Sequence, residues 1–124
     1  PISTLFPYTT LFRSNALGYT LTVHSNRYSE ALGYIQKALQ LAPDDPAIID
    51  SMGWVEFRLG NYPAALGYLR KAYARLADPQ VAAHLAEALW VSGNRQEAHN
   101  VWSAALKQHP GDPNLMKIGR QFAP

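Results

Sequence analysis

The stretch Asp50–Tyr73, DSMGWVEFRLGNYPAALGYLRKAY, decides how this chain folds. It divides at Gly60-Asn61 into two apolar-periodic runs. In the first, Met52, Val55, Phe57 and Leu59 fall near helical spacing around Gly53 and Trp54. In the second, Ala65, Leu66, Leu69, Ala72 and Tyr73 recur as the apolar stripe of an amphipathic helix. The small residues Gly53 and Ala65 let two antiparallel helices cross closely. A helix pair of this size cannot bury its apolar face alone, so the stretch predicts stacked neighbours.

The rest of the chain supplies them. Ala31-Leu32-Gly33-Tyr34 recurs as Ala65-Leu66-Gly67-Tyr68, and Gln96-Glu97-Ala98-His99 continues the series. Each copy sits in a matching frame: Ala31…Ala38…Pro43, Ala65…Ala72 and Ala98…Ala105…Pro110. Turn signals precede each copy, at Ser25-Asn26-Arg27, Gly60-Asn61 and Gly93-Asn94.

This period and pattern resemble the tetratricopeptide repeat, a helix–turn–helix unit of about 34 residues. The family's small crossing residues and turn glycine correspond to Gly53, Gly60, Ala65 and Ala72 in the middle copy. In the third copy they correspond to Ala86, Gly93, Ala98 and Ala105, with Pro110 at the repeat's end. The resemblance covers almost everything after Asn15. It implies an all-α fold, a right-handed α–α superhelix of about three repeats closed by a C-terminal helix. The expected division is repeat 1 over 15–45 with a truncated first helix, repeat 2 over 46–78, repeat 3 over 79–112 and a capping helix over 113–124. Gly18 to Ala31 runs one residue long, so the first inter-helix turn is expected to carry the extra one. The second repeat ends in Leu76-Ala77-Asp78-Pro79 rather than in the usual proline.

Composition narrows the function classes. The 124 residues suffice for one core. With no cysteine, disulfides and thiolate metal sites are excluded. A net charge of +2 is small, so no strong electrostatic partner is implied. No apolar run approaches the length of a membrane span, and direct membrane insertion is not expected. The chain lacks an initiating Met and reads as a fragment of a longer protein.

Pro1–Ser14, PISTLFPYTTLFRS, carries two prolines and no trace of the repeat frame. It resembles translated sequencing-adapter read-through and is expected to be a non-native leader, leaving about 15–23 as the authentic part of the first helix. Leu5, Phe6, Leu11 and Phe12 are expected to settle on apolar surface. Helices are predicted from Ser29, as N-cap, to Leu41; over Pro46–Leu59; from Tyr62-Pro63 to Arg75-Leu76; over Pro79–Val91; from Arg95 or Gln96 to His109; and over Asn114–Gln121. Asp45-Pro46, Asp78-Pro79 and Asp112-Pro113 repeat one device, a capping carboxylate followed by a proline in the first turn.

Catalysis finds no foothold. There is no GxSxG elbow, and no serine comes with a placed histidine and carboxylate. Phosphate-cradling glycine loops are absent; Gly18, Gly33, Gly53 and Gly67 fall within helical patterns, where small size permits close packing. Of His24, His84, His99 and His109, only His84 and Glu87 share a helix face, and no third metal ligand stands at a fixed spacing. The expectation is no cofactor and no metal. Arg58, Arg70, Lys71 and Arg75 form a candidate basic strip for RNA, although 9 acidic against 11 basic residues favours a solvated face.

In the family that the repeats resemble, the first helix of each repeat lines a concave groove. The groove positions implied here are Asn15, Tyr19 and Thr22; Asp50, Trp54, Phe57 and Arg58; and Ala83, Glu87 and Trp90. Trp54 and Trp90 would be the aromatic anchors for a protein or peptide partner, and Trp102 a packing residue of an outer helix. Family members that clamp a terminal carboxylate present cationic and amide side chains at positions held here by Asn15, Tyr19, Asp50, Trp54 and Glu87. Two carboxylates in that set repel such a ligand. The wording of the repeats also resembles the C-terminal end of proteobacterial tetratricopeptide proteins. The site would then be periplasmic and outer-membrane-associated if the parent is a lipoprotein, and cytoplasmic otherwise. A groove binding a peptide or helix is the leading expectation; RNA binding, or a purely architectural cap of a longer solenoid, are the alternatives.

Overall fold

A computed structural model describes residues 2–24 and 27–122; in the first helix the described side chains are Leu11 and those of 13–23. Among these residues there are seven helices and no strand: α1 (Ile2–His24), α2 (Tyr28–Leu41), α3 (Pro46–Arg58), α4 (Tyr62–Arg75), α5 (Pro79–Val91), α6 (Arg95–Gln108) and α7 (Pro113–Phe122). The most extensive packing is within α1–α2, α3–α4 and α5–α6, and successive pairs stack through α2–α3 and α4–α5. Lateral contacts α1–α3, α3–α5 and α5–α7 line up the odd-numbered helices as one layer. This is a solenoid, not a closed bundle.

The carboxylate–proline device sets three helix starts. Asp45 accepts from the backbone N–H of Ala47 at 2.9 Å, Asp78 from Gln80 at 2.7 Å, and Asp112 from Asn114 at 2.9 Å. Each satisfies a donor that the first helical turn leaves unpaired. Glycine sets two ends. Gly60 and Gly93 have φ of +85° and +95°, so any side chain there would be strained. Asn61 N–H reaches Glu56 O at 2.9 Å and Gly60 N–H reaches Phe57 O at 3.0 Å, the paired bonds of a Schellman closure. Helix α2 starts differently from the prediction. Its cap position is Arg27, without a side-chain cap bond, and Ser29 lies inside the helix. Arg27 instead pairs with Glu30 one turn on.

Crossing glycines divide into two kinds. A Cβ on Gly53 would stand 2.6 Å from Leu69 Cγ, and one on Gly18 2.5 Å from Ile35 Cγ1. These absences of side chain are what let α1 meet α2 and α3 meet α4. Gly33 and Gly67 have no neighbour within 4 Å of such a Cβ, so close packing does not explain them, contrary to expectation. Ile35, Ile49, Val55, Leu69, Leu85, Leu89 and Leu115 fill the interior between the two layers.

Helix α1 runs back over the expected leader to Ile2, and Leu11 packs against the cluster of Ala31, Ile35, Met52 and Val55. The side chains of Leu5, Phe6 and Phe12, and the turn residues Ser25 and Asn26 with the expected extra loop residue, lie outside the described residues. His24, one residue beyond the 15–23 stretch, is the last residue of α1. At the other end, α7 turns Leu115 and Ile118 inward and covers α5 and α6. Trp102 docks it: its indole N–H donates to Leu115 O at 2.8 Å, and the missing side chain of Gly119 makes room for the ring. No described helix is long and apolar enough to cross a membrane.

Candidate functional site

The odd-numbered helices bring first-helix side chains onto one concave surface with two adjoining cavities. The larger, of about 300 Å³, is lined by Tyr19, Thr22 and Val23 of α1, Trp54 and Arg58 of α3, Gln80, Ala83, His84 and Glu87 of α5, and Asn114, Lys117, Ile118 and Gln121 of α7. The smaller, of about 210 Å³, lies toward the helix starts and includes Asn15, Tyr19, Asp50, Ser51, Asp78 and Gln80. Tyr19 and Gln80 belong to both and join across the trough, the Gln80 amide donating to the Tyr19 hydroxyl.

A polar knot forms the floor. Asp50 and His84 are both buried, and His84 Nδ1 lies 2.9 Å and 3.0 Å from the two carboxylate oxygens of Asp50. The bond ties α3 to α5, and leaving either partner alone in the interior would carry a full desolvation cost. His84 also stacks on Trp54, centroids 4.1 Å apart and planes 19° apart, and Trp54 in turn stacks on Phe57 at 5.1 Å. The indole is thus a fixed platform, half-buried from below. Burial, and then the charge of Asp50, raise the Tyr19 pKa above the ordinary value of 10.0; the Gln80 hydrogen bond opposes them.

The expected groove residues separate accordingly. Tyr19, Thr22, Trp54, Arg58, Ala83 and Glu87 line the larger cavity, and Asn15 and Asp50 the smaller. Phe57 is a core residue, 8% exposed beneath Trp54. Trp90 does not line either cavity; it stacks on Phe122 of α7 at 4.5 Å, with the Arg95 guanidinium 4.6 Å from the ring. A helix face is wide, and the neighbour that arrives decides which edge is covered. Trp90 meets the terminal helix; Trp54 meets a histidine and a hollow.

Sequence reasoning missed Gln80, His84, Asn114, Lys117 and Gln121. The signal was present in the repeat frame counted from Pro46, Pro79 and Pro113. In that frame Lys117 matches Asp50 and Ala83, Gln121 matches Trp54 and Glu87, and Asn114 matches Gln80. His84 Nδ1 faces Asp50, and Glu87 Oε1 accepts from Gln121 at 3.3 Å. Among the described residues no three His, Asp or Glu side chains gather to hold a metal. Two members of the strip considered for RNA are ion-paired, Arg70 with Glu97 at 2.7 Å and Arg75 with Asp44 at 3.1 Å, while Arg58 keeps its charge and donates to the Tyr28 hydroxyl at 2.9 Å.

Comparison with known proteins fixes the architecture. No protein-family model matches the chain. A TPR repeat-containing protein of Pseudomonas aeruginosa is 56% identical over 73 residues, 59% of this chain and 12% of that protein. The thermophilic TPR protein TTC0263 of Thermus thermophilus superposes with a TM-score of 0.77 at 24% identity, over 95% of this chain and 68% of that one. The chain has the fold of a tetratricopeptide-repeat solenoid. The first TPR of Spaghetti (RPAP3), solved bound to the HSP90 peptide SRMEEVD, superposes with a TM-score of 0.76 at 18% identity, over 94% of this chain and 95% of that one. At that identity the likeness is one of tetratricopeptide fold. The chain spans only 12% of the length of the Pseudomonas relative.

Proposed function

We propose that this tetratricopeptide solenoid is a non-catalytic interaction module whose trough takes a peptide or helix of a protein partner. One observation carries the reading: Trp54 is held rigid from below by His84 and Phe57 while lining an open cavity of about 300 Å³. A pre-fixed aromatic ring loses little conformational freedom on binding, which makes it a strong interface anchor. Around it, Arg58, Lys117, Glu87 and Gln121 supply hydrogen-bonding heads from three helices. The pairing of Arg70 and Arg75 leaves the RNA alternative without a continuous cationic surface.

Panning a displayed library of random peptides against the purified protein tests this reading. Selected peptides should quench or shift Trp54 fluorescence and lose about tenfold or more in affinity, ~1.4 kcal/mol, when Arg58→Glu and Lys117→Glu are combined. Lys71→Glu on the outer layer should leave affinity unchanged. The reading fails if the outer-layer substitution weakens binding and the trough pair does not. It also fails if single-stranded RNA binds with an affinity that falls steeply as salt rises.

A further inference from the structure

The smaller cavity has a chemistry of its own. It is lined by Asp50, Asp78, Ser51, Tyr19 and Asn15 and, among the described residues, by no Lys or Arg. The cations of the concave surface, Arg58 and Lys117, belong to the larger cavity. Asn15 borders the cavity, and its Oδ1, which has almost no accessible surface, has no hydrogen-bond donor among the described residues. An acceptor in that state carries an uncompensated desolvation cost that an arriving donor removes. The carboxylates are held in place. Asp78 is fixed by the α5 backbone N–H groups through Oδ1, and Asp50 by His84. Tyr19 registers the local field, since the charge of Asp50 is one of the causes that hold its proton on. The two acidic caps, Asp45 and Asp78, already occupy the starts of α3 and α5, so those helix ends are not available to an anion.

We infer that this cavity receives a basic side chain, lysine or arginine, from an extended segment of the protein partner, whose neighbouring residues cross the Tyr19–Gln80 bar to reach Trp54. The inference rests on the trough being the binding surface and names the chemistry of one end of the ligand. A guanidinium offers several donors in a rigid fork, matching convergent acceptors, and a surface with fixed carboxylates and no cation rejects an acidic residue at that end. The larger cavity, by contrast, sets Arg58 and Lys117 beside one carboxylate, Glu87, so the two cavities differ in charge and give a bound segment one direction.

The test is a titration of the isotopically labelled protein with N-acetyl-arginine methylamide and, separately, N-acetyl-glutamate methylamide, following the Asn15 and Gln80 side-chain amide resonances by NMR. The arginine compound should give saturable shifts at both amides, at least about tenfold tighter than the glutamate compound, weakening as salt is added. Asn15→Leu should abolish the saturable response at Gln80 while the melting temperature holds or rises, because it removes an acceptor that had no donor. Asn15→Asp should tighten arginine binding several-fold, and it decides the matter if Asn15→Leu proves unfolded. Equal response to both compounds, no saturable shift, or weaker arginine binding by Asn15→Asp overturns the inference. These outcomes are separable from failure of the trough reading. If library-selected peptides map to the trough yet tolerate alanine in place of every Lys and Arg, the trough stands and the basic-side-chain subsite falls.

Discussion

The sharpest consequence of the fold is that one substitution, glycine to alanine, should change stability in opposite directions at Gly53 and Gly67. Both lie in helix interiors, where alanine is favoured over glycine by about 0.8–1.0 kcal/mol through reduced backbone entropy. At Gly67 nothing stands within 4 Å of the added Cβ, so the whole propensity gain should appear. At Gly53 the Cβ would stand 2.6 Å from Leu69 Cγ, 2.8 Å from Cδ2 and 3.1 Å from the Leu69 backbone nitrogen. Leu69 is fully buried and has no open side to swing into. Forcing a methyl into such a site costs about 1–3 kcal/mol. Since the propensity term is common to both variants, their difference isolates the packing cost. Urea unfolding should therefore place Gly67→Ala about 1–3 kcal/mol above Gly53→Ala, a gap of about 1 M in midpoint for a typical slope. Gly33→Ala should behave like Gly67→Ala, and Gly18→Ala like Gly53→Ala. A Gly53→Ala midpoint equal to or above that of Gly67→Ala would refute the helix-crossing geometry.

Asp50→Ala should strand His84 in the interior and destabilise the fold by about 1–3 kcal/mol, measured by urea unfolding; the double change with His84→Ala should cost less than the sum of the singles, and strict additivity counts against the pair. Tyr19 carries a raised pKa in the folded state, so the unfolded chain releases that proton first as pH rises. Stability is then intact below about 10 and falls as pH climbs through the higher folded value, a loss that Tyr19→Phe should flatten in alkaline unfolding curves. Phe122→Ala removes the ring stacked on Trp90 and edge-on to Trp102, and should loosen α7 by about 1–3 kcal/mol with a red shift of indole emission; unchanged emission would show that α7 does not shelter Trp90. Arg70→Ala breaks an exposed ion pair with Glu97 and should change stability by less than about 1 kcal/mol.

The all-α class, the helix pairing and six of the helix spans to within a residue or two were legible in the chain, because their causes are local. Apolar residues at helical spacing, a carboxylate before a proline and a glycine after the last turn act within one or two turns, and a recurring frame multiplies the signal. Ser29 failed as a cap for an equally local reason: the helix already begins at Tyr28. Helix α1 continues to Ile2 through a proline and a stretch without the repeat frame, so no local signal marks its start. The site was half legible. The frame placed Asn15, Tyr19, Thr22, Asp50, Trp54, Arg58, Ala83 and Glu87 beside the two cavities, and counting one step further from Pro113 would have added Lys117 and Gln121.

What the sequence alone determined was which residues share a helix face and which helices must stack, since both follow from periods of three to four residues and of about 34. Which side chains meet across the stack was decided only by the tertiary structure. Phe57 and Trp90 belong to the face that was read as a groove, yet one became floor and the other a seat for α7. Asp50 and His84 lie 34 residues apart, and each looks like an isolated polar residue until the third helix pair sets down against the second. A helix period fixes direction around one axis; the distance and slide between axes come from the summed fit of Gly18, Gly53 and the leucines and isoleucines that fill them, and no single stretch carries that sum.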